Sequence, residues 1–182
     1  MENYGASLRR TQTVEKKPAC AADCLIRIGL HSQTLRAWQR GQLIFDTLIS
    51  TGAKGPGEQN GSGCTPRGRH IIRAKIGAGC PVGTVFVGRR PTGEIFTPEL
   101  RELYPRRDWI LTRILWLSGC EPGYNRLGDV DTMRRYIYIH GTPDDVLMGT
   151  PGSHGCVRMR NAEIIQLFDL IPAGTPVELV ED

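Results

Sequence analysis

The chain is predicted to be mainly β, with one clear helix near its C-terminus. Glycine and proline are abundant, at 22 and 12 of 182 residues, which suits short strands joined by turns. Runs rich in β-branched and aromatic residues recur between those turns, as strands require. Residues 161–171 instead carry apolar side chains at helical spacing. A hydrophobic content of 40% and a charged content of 23% are those of an ordinary globule, long enough to bury a sizeable core as one domain.

The elements follow in order. Residues 1–22 are polar and unpatterned, and read as a tail ahead of a domain over 23–182. Residues 24–30, 33–39 and 42–50 read as strands, the last two joined by an Arg40-Gly41 hairpin turn. A glycine-rich loop occupies 51–63. The second half of 64–76 alternates as a strand does, and 84–87 and 110–117 are strand-like. Residues 97–104 suit a short helix capped by Thr97, with Pro98 in its first position. Residues 119–131 are a polar loop, and 135–140 are a strand ending at His140. Asn161 is the expected N-cap of the helix, Pro172 and Pro176 flank its end, and 177–180 close the chain as a strand.

Net charge is +4, from 23 basic and 19 acidic residues, and no dense basic run points to nucleic acid. Arg9, Arg10, Glu15, Lys16, Lys17 and Asp23 interrupt the first residues, leaving no apolar core of a secretory signal. No segment approaches the length of a membrane span. These readings lead to the expectation of a cytoplasmic protein. The cysteines are Cys20, Cys24, Cys64, Cys80, Cys120 and Cys156. Assigning one of them to catalysis leaves an odd number, so mostly reduced thiols are expected.

The chemistry concentrates in two stretches, Tyr138-Ile139-His140-Gly141-Thr142 and Ser153-His154-Gly155-Cys156-Val157-Arg158. Cys156 lies beside a glycine at the end of a polar loop, a poor place for core filler and a good one for a nucleophile. A thiol near neutral pH needs a base, and His140 is the candidate, provided that it reaches the sulfur. Its other ring nitrogen requires an orienting acceptor, for which a backbone carbonyl serves. The backbone N–H groups of Gly155 and Cys156 are the natural oxyanion donors. His154 is placed to shape the substrate site. Arg158 fits either a substrate carboxylate or solvent, and spacing does not separate the two. His70 and Thr65-Pro66-Arg67-Gly68 read as turn and strand chemistry. His140, His154 and Cys156 could also supply three zinc ligands, but glycines packed around the thiol suit an oxyanion site better than a metal shell. No metal or cofactor is therefore expected.

These residues make the chain resemble the L,D-transpeptidase catalytic domain, also called YkuD. That family's signature is a His-Gly pair, a loop, then Ser/Thr-His-Gly-Cys followed by a hydrophobic residue and arginine. Here the matches are His140-Gly141 and Ser153-His154-Gly155-Cys156-Val157-Arg158, with Thr65-Pro66-Arg67-Gly68 resembling the family's Thr-Pro-x-Gly turn. The loop from His140 to Ser153 is on the short side for the family. The resemblance, over roughly residues 24–180, implies a β-sandwich-like fold with a closing helix. It implies acyl transfer on peptidoglycan stem peptides, with Cys156 attacking the carbonyl of the diamino acid at the third position. It further implies that His140 takes the thiol proton, that the Gly141 carbonyl orients His140, and that Ser153, His154 and Arg158 contact substrate. Carbapenem acylation is implied too. Segment 89–128, rich in arginine and aromatic residues, would be a lid or cap. With a cytoplasmic address, the favoured activity is an L,D-carboxypeptidase trimming tetrapeptides to tripeptides in peptidoglycan recycling. The alternatives are an exported crosslinking transpeptidase and an inactive peptidoglycan-binding module.

Overall fold

The computed structural model describes residues 21–182. The expected tail therefore lies, but for its last two residues, outside the described residues. Ten strands form one sheet: β1 (Cys24–Gly29), β2 (Thr34–Gln39), β3 (Gln42–Leu48), β4 (Gly68–Ile76), β5 (Thr84–Val87), β6 (Arg90–Ile95), β7 (Ile110–Gly119), β8 (Tyr138–Gly141), β9 (Val157–Met159) and β10 (Pro176–Val180). Two helices accompany them, α1 (Pro98–Leu103) and α2 (Asn161–Leu170).

The main path runs β3-β2-β1-β10-β4-β7, then on through β8 to β9, with β5 and β6 continuing beside the start of β7. Beyond β3, Ser50 exchanges both backbone hydrogen bonds with Arg158 of β9, so the two ends of the path meet and the sheet is curled. Inside the curl lie Ile26 and Ile28 of β1, Leu35 of β2, Leu115 and Leu117 of β7 and Ile139 of β8, all fully buried. They pack on Ile164, Leu167 and Phe168, the apolar face of α2. Each such side chain contributes about 1.5–3 kcal/mol by leaving water.

Local chemistry sets the boundaries. Arg40 and Gly41 have φ of 51° and 77°, the pair of left-handed residues that a two-residue hairpin turn needs. Thr97 caps α1 by accepting the Leu100 N–H at 3.2 Å, with Pro98 next to it as expected. Asn161 is not the N-cap of α2. The cap is Arg160, and Asn161 is the first helical residue, with a buried side chain held inside the fold. The strand expected over 135–140 is shorter and later, because Tyr136 takes φ 58° in a turn that a continuing strand cannot accommodate. Strand β6 carries no apolar alternation and β9 is only three residues long, so neither is legible in the sequence.

Segment 89–128 is not one inserted lid. Its β7 pairs with β4, β5 and β8, and seven of its ten residues are buried, so a central strand of the sheet runs through the segment. Among the described residues, no helix is long and apolar enough to cross a membrane.

Candidate active site

Parallel pairing of β8 with β9 assembles the site. Its register sets Ile139 opposite Val157, His140 opposite Arg158 and Gly141 opposite Met159. That places Cys156, one residue ahead of β9, beside Tyr138. The two motifs, far apart in sequence, thus become adjacent strand ends.

His140 is fully buried. Its Nδ1 lies 2.7 Å from the Gly141 carbonyl oxygen, which only accepts, so Nδ1 carries the proton. Nε2 is left as a bare acceptor, and no hydrogen-bond partner meets it. Burial pushes the imidazole below its ordinary value, although Asp108 and the Gly141 carbonyl pull the other way. At neutral pH the ring is an uncharged base with its lone pair unengaged.

The thiol is not hydrogen-bonded to that ring. Cys156 Sγ accepts the Tyr138 N–H at 3.4 Å and donates to the Tyr136 carbonyl at 3.5 Å. It packs against a small cluster of Phe86, Ile114 and Tyr138. Burial pushes the thiol up to about 12, against a lowering by the Tyr138 amide. The resting pair is therefore a neutral thiol and a neutral imidazole.

The turn ahead of Cys156 is braced from within. Ser153 is buried, and its hydroxyl donates to the Cys156 carbonyl while accepting the Gly155 N–H at 3.0 Å. Ser153 thus braces the turn while also lining a cleft with Lys54 and Arg135. One expectation changes: the Gly155 amide is already engaged, which leaves the Cys156 amide as the candidate oxyanion donor. Gly155 has φ 119°, and a Cβ there would stand 2.9 Å from the Cys64 carbonyl oxygen, so no other residue fits. Thr65 accepts the Gly52 N–H at 2.8 Å and donates to the Gly155 carbonyl at 2.9 Å, so the Thr-Pro-x-Gly turn reaches directly into the nucleophile loop. Arg135 fastens the glycine-rich loop above it, donating to the carbonyls of Glu58 at 2.8 Å and Cys64 at 2.6 Å.

Arg158 is not free for a substrate carboxylate. It donates to Asp108 at 2.7 Å and to the Gly152 carbonyl at 2.9 Å, and its side chain is only 14% exposed. Burial works to raise Asp108, but His140 and Arg158 outweigh it and hold the carboxyl below its ordinary range. Nothing in the sequence singled out Asp108, which follows two arginines in an unpatterned stretch. Thr65 carried a signal in its motif, and Arg135 carried none.

His154 is 81% exposed at its side chain, with Nδ1 4.0 Å from Asp108. It stands between two clefts. One, of 610 Å³, includes Lys54, Asn60, Arg135 and Ile137. The other, of 300 Å³, includes Arg106, Asp108, Trp109 and Thr142. Among the described residues, no three His, Cys, Asp or Glu side chains converge as a metal site requires.

Known proteins share this chain's sequence pattern and fold. The sequence profile of the L,D-transpeptidase catalytic domain matches residues 25–179. The probable L,D-transpeptidase YbiS of Escherichia coli K12 is 44% identical over 48 residues, 26% of this chain and 16% of that protein. The probable L,D-transpeptidase ErfK/SrfK of Salmonella typhimurium LT2 is 43% identical over 47 residues, 26% of this chain and 15% of that protein. The solved structure of the L,D-transpeptidase LdtMt1 in complex with imipenem superposes with a TM-score of 0.52 at 18% identity, covering 87% of this chain and 59% of that one. At that identity the likeness is one of fold.

Proposed function

The chain belongs to the L,D-transpeptidase catalytic-domain family, and on that premise we propose that it cleaves the L,D bond of peptidoglycan stem peptides through a Cys156 acyl-enzyme, chiefly as an L,D-carboxypeptidase. The observation that carries the reading is the bare Nε2 of His140, aligned by the Gly141 carbonyl one strand away from Cys156.

The reaction starts from neutral partners. The thiol leaves the Tyr136 carbonyl and gives its proton to Nε2 as the sulfur attacks the carbonyl carbon of the third-position diamino acid. The Cys156 N–H receives the developing oxyanion, an interaction worth on the order of a hundredfold in rate. The C–N bond to the terminal D-alanine then breaks, and the imidazolium returns its proton to the departing amine. Water, activated by the same ring, attacks the thioester, regenerating the thiol and releasing a tripeptide.

What supports hydrolysis over crosslinking is the size of the cleft on the His140 side. At 300 Å³ it suits one small residue or water better than a second stem peptide. An enzyme trimming free tetrapeptides would serve recycling, and a cytoplasmic address is part of this proposal. Imaging a fluorescent fusion of the full-length protein tests it, and an envelope signal would favour the exported crosslinking reading. Acylation of Cys156 by a carbapenem is expected as well. The deciding experiment is mass spectrometry of products from a defined disaccharide tetrapeptide, with Cys156→Ala alongside. Tripeptide and free D-alanine are expected. Crosslinked dimers as the main product would replace hydrolysis with transpeptidation. An unaltered substrate and an unlabelled thiol would leave a binding module.

A further inference from the structure

We propose that Arg106 is the anchor for the carboxylate of the departing terminal residue, which makes the enzyme selective for peptides ending in a free acid. The inference rests on the stem-peptide reading above and adds a specificity residue to it.

The argument begins with direction. The group that accepts the thiol proton must later protonate the leaving amine, so the leaving residue lies on the imidazole's side of the sulfur. The 300 Å³ cleft is on that side. Thr142 follows Gly141 directly, and Arg158 lies across the ladder from His140, with Asp108 bonded to it. The larger cleft, with Lys54 and Arg135, opens on the other flank of His154 and suits the rest of the peptide.

Charge then selects the residue. Arg101, Arg106, Arg107 and Arg158 all line the smaller cleft. Three of them already have acids: Arg101 pairs with Asp145, Arg107 with Glu94 at 2.7 Å and Arg158 with Asp108 at 2.7 Å. Arg106 is exposed and, among the described residues, makes no ion pair or side-chain hydrogen bond. A guanidinium lining a cleft without a carboxylate is matched by a ligand that brings one, in the two-pronged geometry that arginine favours. The wall beside it, Trp109, Pro143 and Val146, is apolar and accepts a small side chain such as a methyl. One cation beside one apolar wall describes a small terminal residue with a free carboxylate.

The test compares the tetrapeptide with its C-terminal amide in the full-length protein. Wild type should prefer the acid by roughly tenfold or more in kcat/KM, the scale of one charge-assisted pair. Arg106→Ala should bring the acid-to-amide ratio close to one, and Arg106→Lys should recover part of it. Arg106 is exposed and its side chain holds no hydrogen bond or ion pair among the described residues, so circular dichroism of both variants should match wild type. A wild-type ratio near one, or an Arg106→Ala ratio equal to wild type's, would overturn the proposal. Calorimetric binding of the same two peptides to Cys156→Ala gives a readout without turnover. Acid and amide binding equally there sinks the Arg106 assignment, whereas a tenfold preference that vanishes in Cys156→Ala/Arg106→Ala upholds it. A protein that binds with this preference yet releases no D-alanine would instead refute the hydrolase reading.

Discussion

Single residues decide the chemistry by what they leave unpaired. His140 loses its Nδ1 proton's freedom to Gly141 and keeps Nε2 bare, so its neutral form is the active base. Because burial lowers this imidazole, kcat/KM should fall only as pH drops below the ordinary histidine value of about 6.5. With the thiol pushed up to about 12, no cysteine limb should appear between pH 7 and 9. A pH-rate profile bending near 8 would instead show the thiol ionising in that range. His140→Gln should lower kcat by at least about a hundredfold with little change in folding, as general-base loss does. Sequence alone pointed to Cys156 and His140, whose short motifs encode chemistry in their spacing, and the family resemblance added the Gly141 carbonyl. It did not reveal the bracing roles of Ser153 and Arg158 or the engagement of the Gly155 amide. Those roles depend on which neighbour reaches a polar atom first, and the neighbours, Cys156's own carbonyl and Asp108, are set by turn geometry and by a distant segment.

At the scale of elements, a strained bulge and a capped helix hold those residues in register. Thr112 interrupts β7 with φ 71°, a conformation costly for a β-branched residue by about 1–2 kcal/mol. Its buried hydroxyl accepts the Gly83 N–H at 3.0 Å and donates to Asn161 Oδ1, while Asn161 Nδ2 donates to the Thr142 carbonyl at 2.9 Å. Gly141 lies against this network, for a Cβ there would stand 2.5 Å from Asn161 Oδ1. Thr112→Val keeps the shape and the strain but strands the buried Asn161 Oδ1 and the half-buried Gly83 N–H. It should cost about 2–4 kcal/mol in urea unfolding and lower kcat by loosening Gly141. At the far end of α2, Lys75 Nζ donates to the Phe168 and Ile171 carbonyls, closing groups that a helix end leaves open. Lys75→Met should destabilise by about 1–2 kcal/mol without altering KM. Most strands were legible because apolar alternation survives in sequence. β6, with five of six residues exposed, and β9, with three residues, were too exposed or too short to show it.

The whole molecule responds to acid through histidines that burial keeps neutral. His70 sits between the Gly68 carbonyl and the Thr132 hydroxyl, and burial brings it from 6.5 to about 4. The unfolded chain therefore takes up this proton before the folded one does. The stabilisation is complete above pH 6.5 and is lost as pH falls toward 4, by about 3 kcal/mol in all. Buried His140 acts in the same direction. His70→Gln should flatten urea midpoints measured between pH 4 and 7, and an unchanged slope would place the acid sensitivity elsewhere. At this scale the sequence conveyed a mainly β fold and a closing helix. It did not convey that 110–119 run through the middle of the sheet, because a central strand among arginines and aromatics resembles an insertion until its partners are known.

The sulfur of Cys156, kept protonated between two tyrosine backbones, has a consequence for the lifetime of the protein. Peroxide oxidises thiolates far faster than thiols, and sulfenic acid formation follows that preference. A nucleophile ionised only at the moment of attack is shielded from oxidants between turnovers, with no partner cysteine required to rescue it.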